Sequence, residues 1–125
     1  MLSFMHFPHK TILIVDEDEY NRELLSMALE LDGHKVMCAK TDVEAMHLLL
    51  DQGNKIYPDC VLSDQVKEAL FELNKPVIFC SIFNETVKDD RLFAKLKKPV
   101  SLHELLTTVQ RAVDGNLSSG GSCQG

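Results

Sequence analysis

Thr11-Ile12-Leu13-Ile14-Val15-Asp16-Glu17-Asp18 decides the reading of this chain. Five consecutive apolar or β-branched residues without alternation predict a strand buried on both faces, as in a parallel sheet covered by helices. Three acids close it at once, so the strand ends in charge. Later stretches repeat the design. A weaker strand is predicted at Lys35–Ala39, others at Cys60–Ser63 after Pro58 and at 77–80 after Pro76, and a short fifth at 94–96. Helical spacing fills the gaps. Residues 19–31 place Tyr20, Leu24, Leu25, Ala28 and Leu31 on one face, and Thr41 with Glu44 forms a capping box for a helix to about Asp51. Val66, Ala69, Leu70 and Leu73 mark a third helix, and 83–92 a weakly periodic short one. Ser101 with Glu104 caps the last, marked by Leu102, Leu105, Leu106, Val109 and Val113. Strands alternating with helices imply an α/β fold with a doubly wound parallel sheet of five strands and helices on both faces.

Composition bounds the rest. The 125 residues suit one domain, and 45% hydrophobic with 26% charged residues is too apolar for disorder. A net charge of −6 argues against nucleic-acid contact and against polybasic membrane attachment. No apolar run approaches the ~20 residues of a membrane span, and residues 1–10 lack a signal-peptide layout. A cytoplasmic location is expected. Cys38, Cys60 and Cys80 lie in strand-like stretches and Cys123 near the end, with no C-x-x-C pair, so they read as buried hydrophobes. Four of the six glycines (Gly115, Gly120, Gly121, Gly125) fall after residue 113. The expected organisation is therefore an extension at 1–10, a domain at 11–113 and a flexible Gly/Ser tail at 114–125. Gly33 and Gly53 read as helix C-caps, and no glycine-rich phosphate loop exists.

Ligands of open doubly wound sheets sit beyond the C-terminal strand ends, where strand order reverses. The first strand ends in Asp16-Glu17-Asp18, the third in Ser63-Asp64, the fourth in Cys80-Ser81, the fifth in Lys97-Lys98-Pro99. With the order 2-1-3-4-5, Asp16, Glu17 and Asp64 converge between the first and third strands. Close carboxylates repel unless a cation sits among them, and hard oxygen ligands suit Mg²⁺. Ser81 can hydrogen-bond a phosphoryl oxygen and Lys98 neutralise its charge. The set reads as a phosphoryl-transfer site, with Asp18 as a helix-capping neighbour.

Ile12 to Asp18, Pro58-Asp59-Cys60-Val61-Leu62-Ser63-Asp64, Pro76-Val77-Ile78-Phe79-Cys80-Ser81 and Lys98-Pro99 resemble, in order, the motifs of two-component response-regulator receiver domains. The resemblance covers about residues 11–113 and implies a flavodoxin-like fold. It implies that Asp64 is the phospho-acceptor, taking a phosphoryl group from a sensor histidine kinase or phosphotransfer protein. Asp16 and Glu17 would hold Mg²⁺ with Asp64 and the backbone carbonyl of Val66. Ser81 would be the switch hydroxyl, and Lys98 the lysine before a cis proline peptide. Such a domain assists its own phosphorylation and dephosphorylation and is no enzyme for another substrate; homodimerisation stays open, as does membership of a larger regulator.

Several positions depart from the family pattern. Only eleven residues, 65–75, link Asp64 to Pro76; the proline-and-glycine loop after the acceptor is missing. The third helix must therefore start almost at Asp64 and be short. The 82–97 span is also short, and Lys95 replaces the aromatic of the fifth strand. These changes favour a second reading, a pseudo-receiver that binds protein and takes no phosphate; the retained site residues oppose it. A third is a small haloacid-dehalogenase-like phosphatase, with Asp16 as nucleophile and Asp18 as acid. Tyr20 and the misplaced Asp89-Asp90 weigh against it.

Overall fold

A computed structural model of the chain describes residues 10–51, 57–82 and 86–122, with backbone alone at 51 and 116–122. The elements are β1 (Thr11–Val15), α1 (Glu19–Leu31), β2 (Lys35–Ala39), α2 (Asp42–Asp51), β3 (Cys60–Ser63), α3 (Glu68–Phe71), β4 (Val77–Ser81), β5 (Ala94–Lys97) and α4 (Leu102–Ser122). All strand pairs are parallel, in the order β2-β1-β3-β4-β5 expected from the sequence.

The unbroken apolar run of β1 serves both faces of the sheet. Ile12 and Ile14 pack with Cys60, Leu62, Ile78, Cys80 and Leu96 beneath Leu29 of α1 and Leu105, Val109, Ala112 and Val113 of α4. Leu13 and Val15 point the other way, into a second cluster with Val61, Val77, Ala45 of α2, and Leu70 and Leu73 around α3. Two cores separated by one sheet require the period-two alternation of strand side chains to be apolar at every position. At the edge, β5 buries only Leu96 fully and exposes Lys95 and Lys97, as an edge strand must to discourage further pairing.

Caps fall where expected. Asp18 accepts from Tyr20 N at 2.9 Å to start α1, and Gly33 takes φ +97° just past its end. Glu44 N donates to Thr41 Oγ1 (3.1 Å), while Lys40 N donates back to Glu44 Oε1. Glu104 N donates to Ser101 Oγ (3.0 Å). Lys98–Pro99 is a cis peptide.

Four sequence expectations need correction. The buried side of α1 is Leu29 with Leu25 and Ala28, whereas Tyr20, Leu24 and Leu31 are exposed. Leu25 and Ala28 of the expected face do pack inward, but apolar residues cover more than one side of that helix, so spacing alone includes Tyr20, Leu24 and Leu31 and omits Leu29. Cys38 is exposed, while Cys60 and Cys80 are buried as expected. The short helix expected at 83–92 lies partly outside the described residues, at 83–85; residues 86–92 hold no α-helix and turn at Asp89, whose carbonyl accepts from Leu92 N. Finally, α4 continues to Ser122, past the expected domain end at 113. A nucleated helix grows without forming a new nucleus, so Gly115, Gly120 and Gly121 weaken this last stretch, by about 1 kcal/mol each, without ending it. Residues 1–9, Gly53 and Cys123 lie outside the described residues.

Candidate functional site

The sheet reverses its winding at β1, which has β2 on one side and β3 on the other. The ladder runs one residue beyond each strand: Asp16 N donates to Ala39 O (3.1 Å) and Asp64 N to Val15 O (3.0 Å). Both aspartates are thereby pinned by backbone at the C-terminal rim, on adjacent strands. Turn chemistry fixes the path of the chain after each. Ser63 Oγ accepts from Gln65 N (2.9 Å) and donates to Gln65 O (2.8 Å), bending the chain sharply after the acid. Asp16 Oδ1 accepts from Asp18 N (2.9 Å), coupling the first acid to the cap of α1.

Asp16 is 2% exposed and ion-paired to Lys98, Nζ to Oδ2 at 2.8 Å. That lysine arrives from the far side of the sheet, positioned by its own N donating to Ser81 O (3.1 Å). The first and fifth strands, unpaired in the sheet, thus meet through one salt bridge. Ser81 ends β4, in register with Lys97, on the same rim. Of Asp64, Oδ2 receives a long 3.4 Å contact from Glu17 N, while Oδ1 is buried with no hydrogen-bond partner. Burial, and then the charge of Asp16, push the Asp64 carboxyl above its ordinary range, against the opposing pull of Glu17 N and Lys98.

The structure therefore brings Asp16, Asp64 and Lys98 together, with Ser81 beside them. It does not draw the third carboxylate in: Glu17 is exposed and contributes its backbone N–H. Among the described residues no three His, Cys, Asp or Glu side chains gather as a ready metal cage. The donors nevertheless fit a hard divalent cation. An orphaned buried carboxylate oxygen beside a second buried carboxylate is a concentration of negative charge that Lys98 only partly offsets. Mg²⁺ needs one or two such carboxylates and fills its remaining positions with water and substrate oxygens. Asp16 and Asp64 are the buried or half-buried carboxylates that would hold it.

Sequence reasoning missed Arg22 and Ser63. Arg22 Nη1 donates to Asp16 O at 2.7 Å, tying the acidic turn to α1. Its place six residues after Asp16, at the end of the first turn of the predicted helix, was the available signal.

No family model matches the chain. It is 36% identical over 118 residues to the regulatory protein AtoC of Escherichia coli, covering 82% of this chain and spanning about a quarter of that relative's length (25%). Solved structures share the fold. A response regulator receiver domain of Clostridium thermocellum superposes with a TM-score of 0.68 at 20% identity, covering 86% of this chain and 96% of its own. Chemotaxis protein CheY4 of Vibrio cholerae gives 0.65 at 19% identity, over 84% and 99%. NtrX of Brucella abortus gives 0.73 at 21% identity, over 92% of this chain and 30% of NtrX.

Proposed function

Because the chain is a response-regulator receiver domain, we propose that it accepts a phosphoryl group on Asp64, with Mg²⁺, in a two-component phosphorelay. The observation that carries this reading is the Asp64 carboxylate, half-buried at the strand-order switch with one oxygen unsatisfied, next to an Asp16–Lys98 ion pair. A carboxylate raised by burial and by a like charge is a more basic nucleophile than a solvated one, while remaining backbone-anchored for in-line attack. In the proposed step an Asp64 oxygen bonds to phosphorus as the phosphorus–nitrogen bond of a phosphohistidine breaks. The electron pair returns to the imidazole, leaving an acyl phosphate. Catalysis on this side is positioning and charge neutralisation. Mg²⁺, when bound, supplies positive charge to the phosphoryl oxygens. Lys98 adds a second cationic group at the same rim, and the Ser81 hydroxyl is the donor for a phosphoryl oxygen.

The donor is a sensor histidine kinase or phosphotransfer protein, which must bring its phosphohistidine to the rim. An open cleft of about 370 Å³ between Leu24, Leu25, Ile82, Lys98 and Pro99 adjoins Lys98 there, and Leu24 and Ile82 are exposed large apolar side chains. Apolar groups flanking a charged site suit a protein donor better than a free metabolite. No helix among the described residues is long and apolar enough to cross a membrane. We place the domain in the cytoplasm, acting on no substrate beyond its own aspartate.

The pseudo-receiver reading has two observations in its favour: α3 is only four residues long in the short segment after Asp64, and Glu17 is exposed and outside the carboxylate pair. Beryllofluoride with Mg²⁺ separates the two. A receiver binds it saturably and loses binding on Asp64→Asn; a pseudo-receiver shows no saturable signal in either protein.

A further inference from the structure

Two shortened segments flank the acceptor, and one side chain joins them. Arg91 lies in the turn that leads from β4 to β5. Its Nε and Nη2 hold Asp89 Oδ1 and Oδ2 at 3.0 and 2.9 Å, a two-pronged grip. Nη1 reaches Glu68 Oε2 at 2.6 Å, the first residue of α3. The guanidinium carbon stands 4.0 Å from the ring centroid of Phe71, the last residue of α3. Both ends of a four-residue helix are thus held by one cation from another part of the chain. Such a helix cannot persist on its own backbone bonds, and Lys67 supplies no side-chain cap. Buried Leu70 and Leu73 seat it on the sheet, but they leave its rotation about that seat to polar contacts. Lys95 Nζ, donating to Val87 O at 2.7 Å, fastens the same connection to β5.

Exposed single ion pairs contribute little to stability; paired forks that share a network are the exception. Position matters more here than stability. Only Gln65, Val66 and Lys67 separate Asp64 from Glu68.

We propose that Arg91 is a positioning residue for the acceptor. By holding Glu68 and Phe71 it fixes the 65–67 segment, and with it the Val66 carbonyl and the Asp64 carboxylate relative to Asp16. This rests on the reading of Asp64 as a phosphoryl acceptor with Mg²⁺. In a chain whose post-acceptor loop is this short, the clamp does what a longer third helix would do by packing. It also carries displacement at Asp64 to residues 86–93, while Lys95 leaves β5 without an aromatic to move.

The test uses the whole chain with Arg91→Gln, Arg91→Lys and Glu68→Gln. Amide exchange is read at Leu70 and Glu72, whose N–H groups bond Lys67 O and Glu68 O. It needs neither metal nor phosphate. Exchange should quicken roughly 5- to 20-fold in Arg91→Gln, and the double variant with Glu68→Gln should be no faster. Mg²⁺ alone should bind about 10-fold more weakly to Arg91→Gln, with Arg91→Lys in between and the urea midpoint nearly unchanged. Unchanged exchange overturns the clamp. Quickened exchange with wild-type Mg²⁺ affinity, or a loss of affinity matched by a general loss of stability, overturns its positioning role. A wild-type protein that takes neither Mg²⁺ nor beryllofluoride overturns the acceptor reading and the positioning role with it, and the exchange comparison still decides whether the clamp exists.

Discussion

Replacing Lys98 by methionine removes the side chain that is ion-paired to the Asp16 carboxylate. Asp16 is 2% exposed and its partner side chain 18% exposed, so the pair is a rim-buried one and not a surface contact. Deleting one member of a buried pair typically costs about 3–5 kcal/mol, because the survivor stays charged and desolvated. Asp16 keeps the hydrogen bond from Asp18 N, and Lys98 is reached by water, so the low end of that range, ~3 kcal/mol, is expected. At a urea slope of about 2 kcal/mol/M, that lowers the midpoint by roughly 1.5 M. The double variant Asp16→Asn/Lys98→Met should recover most of the loss, since the buried Asp16 charge goes with its partner. Urea unfolding at pH 7, followed by circular dichroism, measures all four proteins of the cycle. A Lys98→Met midpoint within a few tenths molar of wild type, or a double variant as unstable as the single one, would refute the charge-burial reasoning.

The same geometry sets other outcomes. The Asp64 carboxyl is raised above its ordinary value of 3.8, chiefly by burial, so its ionisation opposes folding. That penalty is absent below the ordinary value and grows as pH rises through the raised one. Asp64→Asn should therefore be more stable than wild type at pH 7, with the difference vanishing below the ordinary carboxylate range; equal stability at pH 7 would count against it. Mg²⁺ should raise the melting temperature of the wild type and not of Asp64→Asn, and scanning calorimetry with and without the ion reads this. Leu29→Ala should cost about 3–4 kcal/mol by leaving a cavity under α1, whereas exposed Leu24→Ala should cost less than ~1 kcal/mol. Equal costs in urea titration would restore the α1 stripe expected from spacing.

How much of this was written in the sequence differs by element. Strand runs such as Thr11–Val15 are unambiguous because two buried faces leave no polar position, and the terminal acids then locate the rim. The site aspartates were legible because β-ladder geometry carries a strand-end residue to a fixed place. Helix faces were less so. Leu24, Leu25, Met27, Ala28, Leu29 and Leu31 fit more than one stripe, and only the sheet decides that Leu29 goes inward. Arg91 gave no signal at all. Its partners are Asp89, two residues away, and Glu68, in another segment, and no periodicity marks an ion pair across the fold. Likewise the Asp16–Lys98 bridge uses residues 82 positions apart, so sequence supplied the members and the fold supplied the pairing.

Whether Asp64 accepts a phosphoryl group is read from intact-mass spectrometry after incubation with acetyl phosphate and Mg²⁺. Wild type should gain the mass of one phosphoryl group, lost on treatment with hydroxylamine as an acyl phosphate is, and Asp64→Asn should gain none. The same adduct in Asp64→Asn, or none in a folded wild-type protein, would contradict the acceptor role of Asp64.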